Sequence, residues 1–257
     1  MRLLAAALVP AAASAAVTAT LACGAPATGA PAAPPAAGQA PDAAGVYHTQ
    51  FENDWVRLVR VRYPGRTKLP VHGHPTTVTT YVYLSESSPV RFTHQGTRTH
   101  VVTRQPTTPG GFRVSRGGDE THAVENLGPT ASDFLRVEFK TDPAGDRSPY
   151  YRDNRILAAG AEPVSDVRFT NRQMRITRIA IPPGASTEVA TTADAPALLI
   201  ALGQASLAVN GAARTFGAGQ ERWMPVNQRD RLENSGQAPA GLLRIDLLTP
   251  PRQAGAR

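Results

Sequence analysis

The chain is short of most features that would place it at a glance. Its 257 residues hold one cysteine, Cys23, so no disulfide can form within it and stability has to come from packing. Aromatic residues make up only 6 % and are not interleaved with basic ones, so the stacking surface that single-stranded nucleic acids use is missing. The net charge of +7 resides almost wholly on arginines spaced singly between acidic residues, without the run or face that a nucleic-acid partner requires. Nothing after the tether described below and before the middle of the chain repeats apolar residues at helical spacing. No histidine follows His122, which confines any imidazole chemistry to the first half.

What is present begins with Met1-Arg2 and a largely apolar, Ala-rich run over residues 3–22, interrupted by Pro10 and ending at Cys23. The run approaches a membrane span in length, but its composition and mid-run proline read as an export signal over residues 1–22. Thr20-Leu21-Ala22-Cys23-Gly24 resembles a bacterial lipoprotein cleavage box, which implies a mature chain beginning at a lipidated Cys23. Ordinary signal cleavage near residues 15–22 or just beyond is the alternative. The expected location is the periplasm or the envelope, with membrane contact only through an N-terminal lipid. Residues 23–45, almost entirely Ala, Pro and Gly after Cys23, offer no face to bury and read as a tether.

From Tyr47 the pattern changes to short β-rich runs between turn residues, with strands expected near 55–63, 76–84, 90–93, 97–103, 112–115, 121–125 and 134–140. Pro64-Gly65, Gln95-Gly96, Pro109-Gly110-Gly111 and Gly128-Pro129 mark the turns. This spacing predicts an all-β sandwich or barrel over residues 46–141. A loop-like linker follows over 142–166, with a short helix expected near 152–159. A second β domain over 167–250 and a tail over 251–257 complete the chain. The second domain repeats the first: Met174-Arg175-Ile176-Thr177-Arg178-Ile179 echoes Val56-Arg57-Leu58-Val59-Arg60-Val61, and Glu233-Asn234-Ser235-Gly236 echoes Glu125-Asn126-Leu127-Gly128.

Two stretches of the first half carry chemistry, Gly65 to His74 and Gly117 to Asn126. In an extended strand alternate side chains share a face, so His72 and His74 point the same way, and His122 would come from a distant strand to join them. Three imidazoles suit zinc, copper, iron or nickel and leave positions open for water or substrate. Glu120, two residues before His122, either faces the same interior as a fourth ligand or belongs to the turn at Gly117-Gly118-Asp119. His48, His94 and His100 read as solvated, the last two flanking a hairpin turn.

These stretches resemble the paired motifs of the cupin superfamily, in which Gly65, His72, His74, His122 and Asn126 match at compatible spacings. The resemblance implies two cupin-type (jelly-roll) barrels in tandem. The acidic ligand of the family's first motif falls on Val78 or Thr79, neither of which can replace a carboxylate. A three-His centre without it resembles the iron sites of thiol dioxygenases and diketone-cleaving cupins. It implies one divalent transition metal, iron first, with manganese, zinc, nickel or copper as alternatives. Asn126 in this family orders a turn. Tyr81 and Arg113, with Tyr83 and Thr79, are the candidate substrate-binding residues, and Arg60 and Arg62 either hold an anion or stay solvated at an edge.

In the second copy, Ala185, Ser186, Thr187 and Glu188 stand where the first has its histidines, and Asp230 stands opposite His122. That barrel is expected to be structural and to cover the mouth of the first; Glu188, Trp223 and Asp230 would line any pocket of its own. Two functions stay open: a metal-dependent, dioxygenase-like or isomerase-like enzyme acting on a small anionic molecule, or a non-catalytic ligand-binding or structural module of the envelope. Nothing in the sequence separates monomer from homo-oligomer.

Overall fold

The computed structural model describes residues 43–75, 77–116, 120–141 and 150–251. The expected signal, Cys23, nearly all of the tether, the Gly117-Gly118-Asp119 turn, residues 142–149 and the extreme tail lie outside the described residues.

Apart from a single turn of helix, α1 (Ala43–Val46), every regular element is a β-strand, and all the strand pairs are antiparallel. The first half folds as two sheets. The larger has the spatial order β1 (Tyr47–Glu52), β2 (Val56–Tyr63), β9 (Ser132–Phe139), β4 (Thr79–Tyr83), β7 (Phe112–Ser115), β10 (Tyr151–Asp153). The smaller runs β3 (Lys68–His74), β8 (Glu120–Asn126), β5 (Val90–Gln95), β6 (His100–Arg104). The second half has a sheet ordered β11 (Val164–Thr170), β12 (Met174–Ile181), β19 (Ala240–Leu247), β14 (Ala197–Ala201), β17 (Glu221–Met224). Against it lies β13 (Ser186–Ala190), β18 (Arg229–Asn234), β15 (Ala205–Val209), β16 (Ala212–Phe216).

The two halves are therefore equivalent except for β10, which adds a sixth strand to the first large sheet: adding ten to every other number in the first half reproduces the order in the second. The likeness extends to hydrogen bonds. Asn126 donates from Nδ2 to the carbonyls of Tyr63 and Thr130 and accepts from the Gly128 N–H, and Asn234 does the same with Ile181, Ala238 and Gly236. Each buried amide thus ties the turn after its strand to the end of a neighbouring strand, satisfying backbone groups that water cannot reach. The paired turn glycines have different reasons to be glycine. A Cβ on Gly65 would lie 2.0 Å from the Pro129 carbonyl oxygen, whereas Gly184 has open space around it and takes φ of +74°.

Strand alternation divides each large sheet into an inner and an outer face. On the inner face of the first, Val59, Val61, Tyr63, Tyr81, Tyr83 and Phe134 pack with Leu69, Val90, Phe92 and Val124 of the small sheet. Its outer face carries Val56, Leu58, Val82, Phe112, Leu135 and Val137. These meet Met174, Ile176, Leu198, Ile200, Ile245 and Leu247 from the second half in one continuous core. The halves are thus fused back to back through their large sheets. Phe51 stacked on Trp223, with ring centroids 5.9 Å apart, and Arg178 ion-paired to Asp153 at 3.4 Å extend this contact.

Two expectations are corrected here. The helix expected near 152–159 is not formed; its first residues make β10, which pairs with β7. The reason is tertiary: the Tyr151 ring lies 5.9 Å from Phe112 and 5.1 Å from Phe169, and buried Asp153 holds Arg168 at 2.7 Å, so this segment spans both halves. The second barrel does not cover the mouth of the first, because its contact is with the outer face of the large sheet.

Leu135→Ala removes a fully buried side chain from the shared core and is expected to cost about 2–5 kcal/mol. Because both halves contribute to that core, both should unfold together. Denaturant unfolding followed by fluorescence of Trp55 and Trp223, one in each half, is expected to give one transition; two separated transitions would show independent barrels.

Candidate metal centre

The pairing of β3 with β8 slips by one residue between Leu69 and His72: Leu69 lies opposite Val124, while His72 lies opposite His122. Two residues, Pro70 and Val71, thus face the single Ala123. Without this bulge the buried face of Leu69 would continue through Val71, and both histidines would point outward. With it, Val71 is left 46 % exposed and His72 and His74 turn inward beside His122. Proline suits the bulge, since it has no ladder N–H to lose, and its carbonyl accepts a 2.8 Å hydrogen bond from His72 Nδ1. That bond places the His72 proton on Nδ1 and leaves Nε2 as the lone-pair nitrogen.

The three rings of His72, His74 and His122 form a triangle with centroids 4.8, 5.0 and 5.1 Å apart. One nitrogen from each lies within 4.8 Å of the others. His122 is 1 % exposed, and neither of its ring nitrogens has a hydrogen-bond partner. A buried polar group without a partner costs about 1–3 kcal/mol, so the arrangement fits an ion better than an empty interior. Burial pushes the His74 pKa down to about 3, with the charge of Arg136 adding to it, and it also lowers His72. Both imidazoles are consequently neutral near pH 7, the form that binds a metal. His72, His74 and His122 could hold a metal ion.

Glu120 takes neither of the roles expected for it unchanged. It sits on β8 opposite His74, inside the barrel and not in a solvated turn. Its Oε1 approaches Nδ1 of His122 at 3.4 Å, and it groups with His94 and His122, apart from the His72–His74 pair. Burial alone raises its pKa, but the His122 imidazole and the Arg136 and Arg104 guanidiniums outweigh that and hold it below the usual carboxylate range. An ionised carboxylate behind a ligand imidazole fixes the ring and raises its basicity.

Tyr47 was not legible as a site residue. The first residue of β1, it brings its hydroxyl to 2.8 Å from His72 Nε2 and 3.3 Å from His74 Nε2, with Tyr63 Oη also 2.8 Å away. Burial and the neighbouring Tyr63 raise its pKa. The sequence places Tyr47 merely at the end of the tether; only its pairing with Val61 on β2 shows which way it faces. His94, expected in solvent, also belongs here. On β5 it lies opposite His122, with rings 5.2 Å apart, and His100 stacks on its far side at 4.6 Å. His100 is exposed, as expected of a hairpin flank.

Among the other candidates, Tyr81 and Arg113 both face the barrel interior. Tyr81 donates to Glu120 at 3.4 Å, and its ring lies 3.9 Å from the guanidinium of Arg113. With Tyr63, Tyr83, Phe92, Phe134 and Arg104 they line a cavity of about 250 Å³ whose Phe92 wall also packs on His122 and which, among the described residues, receives none from the second half. Thr79 is buried but bonds to the Thr77 carbonyl. Arg60 and Arg62 lie on the other face of β2, Arg60 paired with Asp133 at 2.8 Å and Arg62 in solvent.

The pocket considered for the second barrel does not assemble, because its three residues sit on different faces. Glu188 is exposed and paired with Arg229, Trp223 packs toward the first half, and Asp230 points inward to Arg222 at 2.7 Å. Where the first barrel has imidazoles, the second has closed ion pairs.

No protein-family model and no curated protein matches the sequence. Solved structures do match the fold. Bacterial pirin YhhW from Escherichia coli, in complex with nickel(II), aligns over 80 % of this chain and 90 % of its own, at 13 % identity and a TM-score of 0.57. A mutant oxalate decarboxylase from Bacillus subtilis aligns over 77 % and 74 %, at 12 % identity and a TM-score of 0.51. A cupin 2 conserved barrel domain protein from Leptotrichia buccalis aligns over 79 % and 88 %, at 12 % identity and a TM-score of 0.49. Four sheets in two equivalent pairs, together with the likenesses to the pirin and the oxalate decarboxylase, show that the chain folds as two cupin-type barrels in tandem.

Proposed function

We propose that the first barrel binds one divalent transition metal, iron foremost, through His72, His74 and His122, and that the protein is an exported metal-dependent enzyme acting on a small molecule. The orphaned, buried imidazole of His122 carries this reading. When bound, such an ion supplies Lewis-acid or redox chemistry. The chain's own residues do the rest. Glu120 stands 3.4 Å from Nδ1 of His122, placed to orient that ring once its other nitrogen is taken by an ion; Tyr47 offers an oxygen donor or a proton beside His72 and His74, and the aromatic walls keep water from the reacting face. The second barrel gives the first a rigid back. The leader, Cys23 and the tether support export and a lipid anchor that leaves the barrels in the periplasm.

A second reading has its own observation. The Tyr47 hydroxyl already engages Nε2 of His72, and the family's carboxylate ligand is missing, so a metal-free barrel with a tyrosine cap would be a non-catalytic binding module.

Elemental analysis separates the two. The first reading expects close to one iron or nickel per chain after incubation with either ion, lost in His122→Ala and in His72→Ala, and retained in Tyr47→Phe. The second expects no bound metal in the wild type and a loss of about 1 kcal/mol of stability in Tyr47→Phe. Membrane fractionation tests the anchor: wild type should sediment with membranes and Cys23→Ala should be released, whereas equal release of both would show ordinary signal cleavage.

A further inference from the structure

Charged side chains inside the first barrel are paired, except for two arginines at one cavity. Arg136 holds Glu138 at 3.1 Å and approaches Glu120 at 4.0 Å, and Glu138 also receives Arg57 at 3.9 Å. Arg113 is 3 % exposed, yet its Nε and Nη2 have no hydrogen-bond partner, and among the described residues no carboxylate lies within ion-pair reach of it. Leaving a guanidinium buried and unpaired costs several kcal/mol, which packing on the Tyr81 ring offsets only in part. Arg104, at the same cavity, lies over the Phe92 ring at 4.2 Å and likewise forms no ion pair among the described residues. Among the described residues no aspartate or glutamate lines the cavity.

We propose that this cavity binds the carboxylate of a small aromatic acid, with the acid group on the free edge of Arg113 and assisted by Arg104. The inference rests on the reading of the adjoining centre as a small-molecule site and assigns the class of molecule. A guanidinium presents a fork of parallel N–H donors that matches a carboxylate, and Nε with Nη2 is one such edge. Tyr63, Tyr81, Tyr83, Phe92 and Phe134 supply flat apolar walls for a ring. The volume of about 250 Å³ is below the ~300–1,000 Å³ of pockets for drug-sized ligands, which limits the occupant to roughly one substituted ring. The same walls reach the histidines. The Phe92 ring lies 5.2 Å from that of His122, and Tyr81 bridges from Arg113 to Glu120. An acid anchored on Arg113 therefore has its ring directed along the wall that ends at the metal site.

Calorimetric titration of the full mature chain, metal-free and metal-loaded, with benzoate and with benzamide as its neutral counterpart tests this. Benzoate is expected to bind in both states, and benzamide at least about tenfold more weakly. Arg113→Gln should lower benzoate affinity at least about tenfold while leaving benzamide within about twofold. His122→Ala should lose metal but keep benzoate, so failure of the metal reading leaves this result untouched. Metal binding without benzoate binding would sink only the present inference. Equal affinity for the two ligands, or no change in Arg113→Gln, would overturn it. Should Arg113→Gln not fold, Arg104→Gln and the wild-type comparison of the two ligands still decide.

Discussion

The candidate centre depends on one extra residue in β3. Side chains on a strand alternate with period two, so a strand that buries Leu69 presents its odd-numbered neighbours to the core until something breaks the count. The bulge at Pro70 and Val71 breaks it, and from there the even-numbered residues, His72 and His74, face inward. Proline at the bulge gives up no ladder bond and lends its carbonyl to fix the His72 tautomer. The triangle of rings follows from this parity change, which brings His72 and His74 to the buried His122 of β8 and within reach of the Tyr47 hydroxyl.

The second barrel shows what the same topology becomes without the change. Its equivalent strand, β13, pairs with β18 in regular register from Ser186 to Ala190. Asp230, the counterpart of His122, is held by Arg222, Asn210 and Gln228, and Asp246 is held by Arg244 and Arg175. Such internally satisfied groups have nothing left to offer a ligand. Duplication thus allowed a division of labour. One copy keeps unsatisfied polar groups facing a cavity, and the other buries apolar surface against the outer face of the first copy's large sheet.

Much of this is legible in the sequence itself. Turn residues at short intervals announced strands, and the repeated Glu-Asn-x-Gly signature announced two copies, because both are local and survive in the sequence as spacing. The buried asparagines explain why that signature exists twice: each must bond the same three backbone groups. Other features were illegible because they arise between strands. Tyr47 and His94 carry no local mark of their role; one is positioned by its pairing with β2 and the other by its place opposite His122. The segment after Tyr150 looks helical by composition and becomes a strand because Tyr151 and Asp153 are held by groups from both halves.

The division between the two levels has a physical origin. Strand content, the duplication, the three inward histidines as a hypothesis, and their absence from the second copy are properties of order along the chain, and composition and spacing suffice for them. Whether the histidines face the core, which carboxylate stands behind them, that one edge of Arg113 is left without a hydrogen bond, and that the barrels meet back to back are decided only by register. Register is set by the sum of many weak contacts across strands far apart in the chain, and a shift of one residue reverses every side chain it touches.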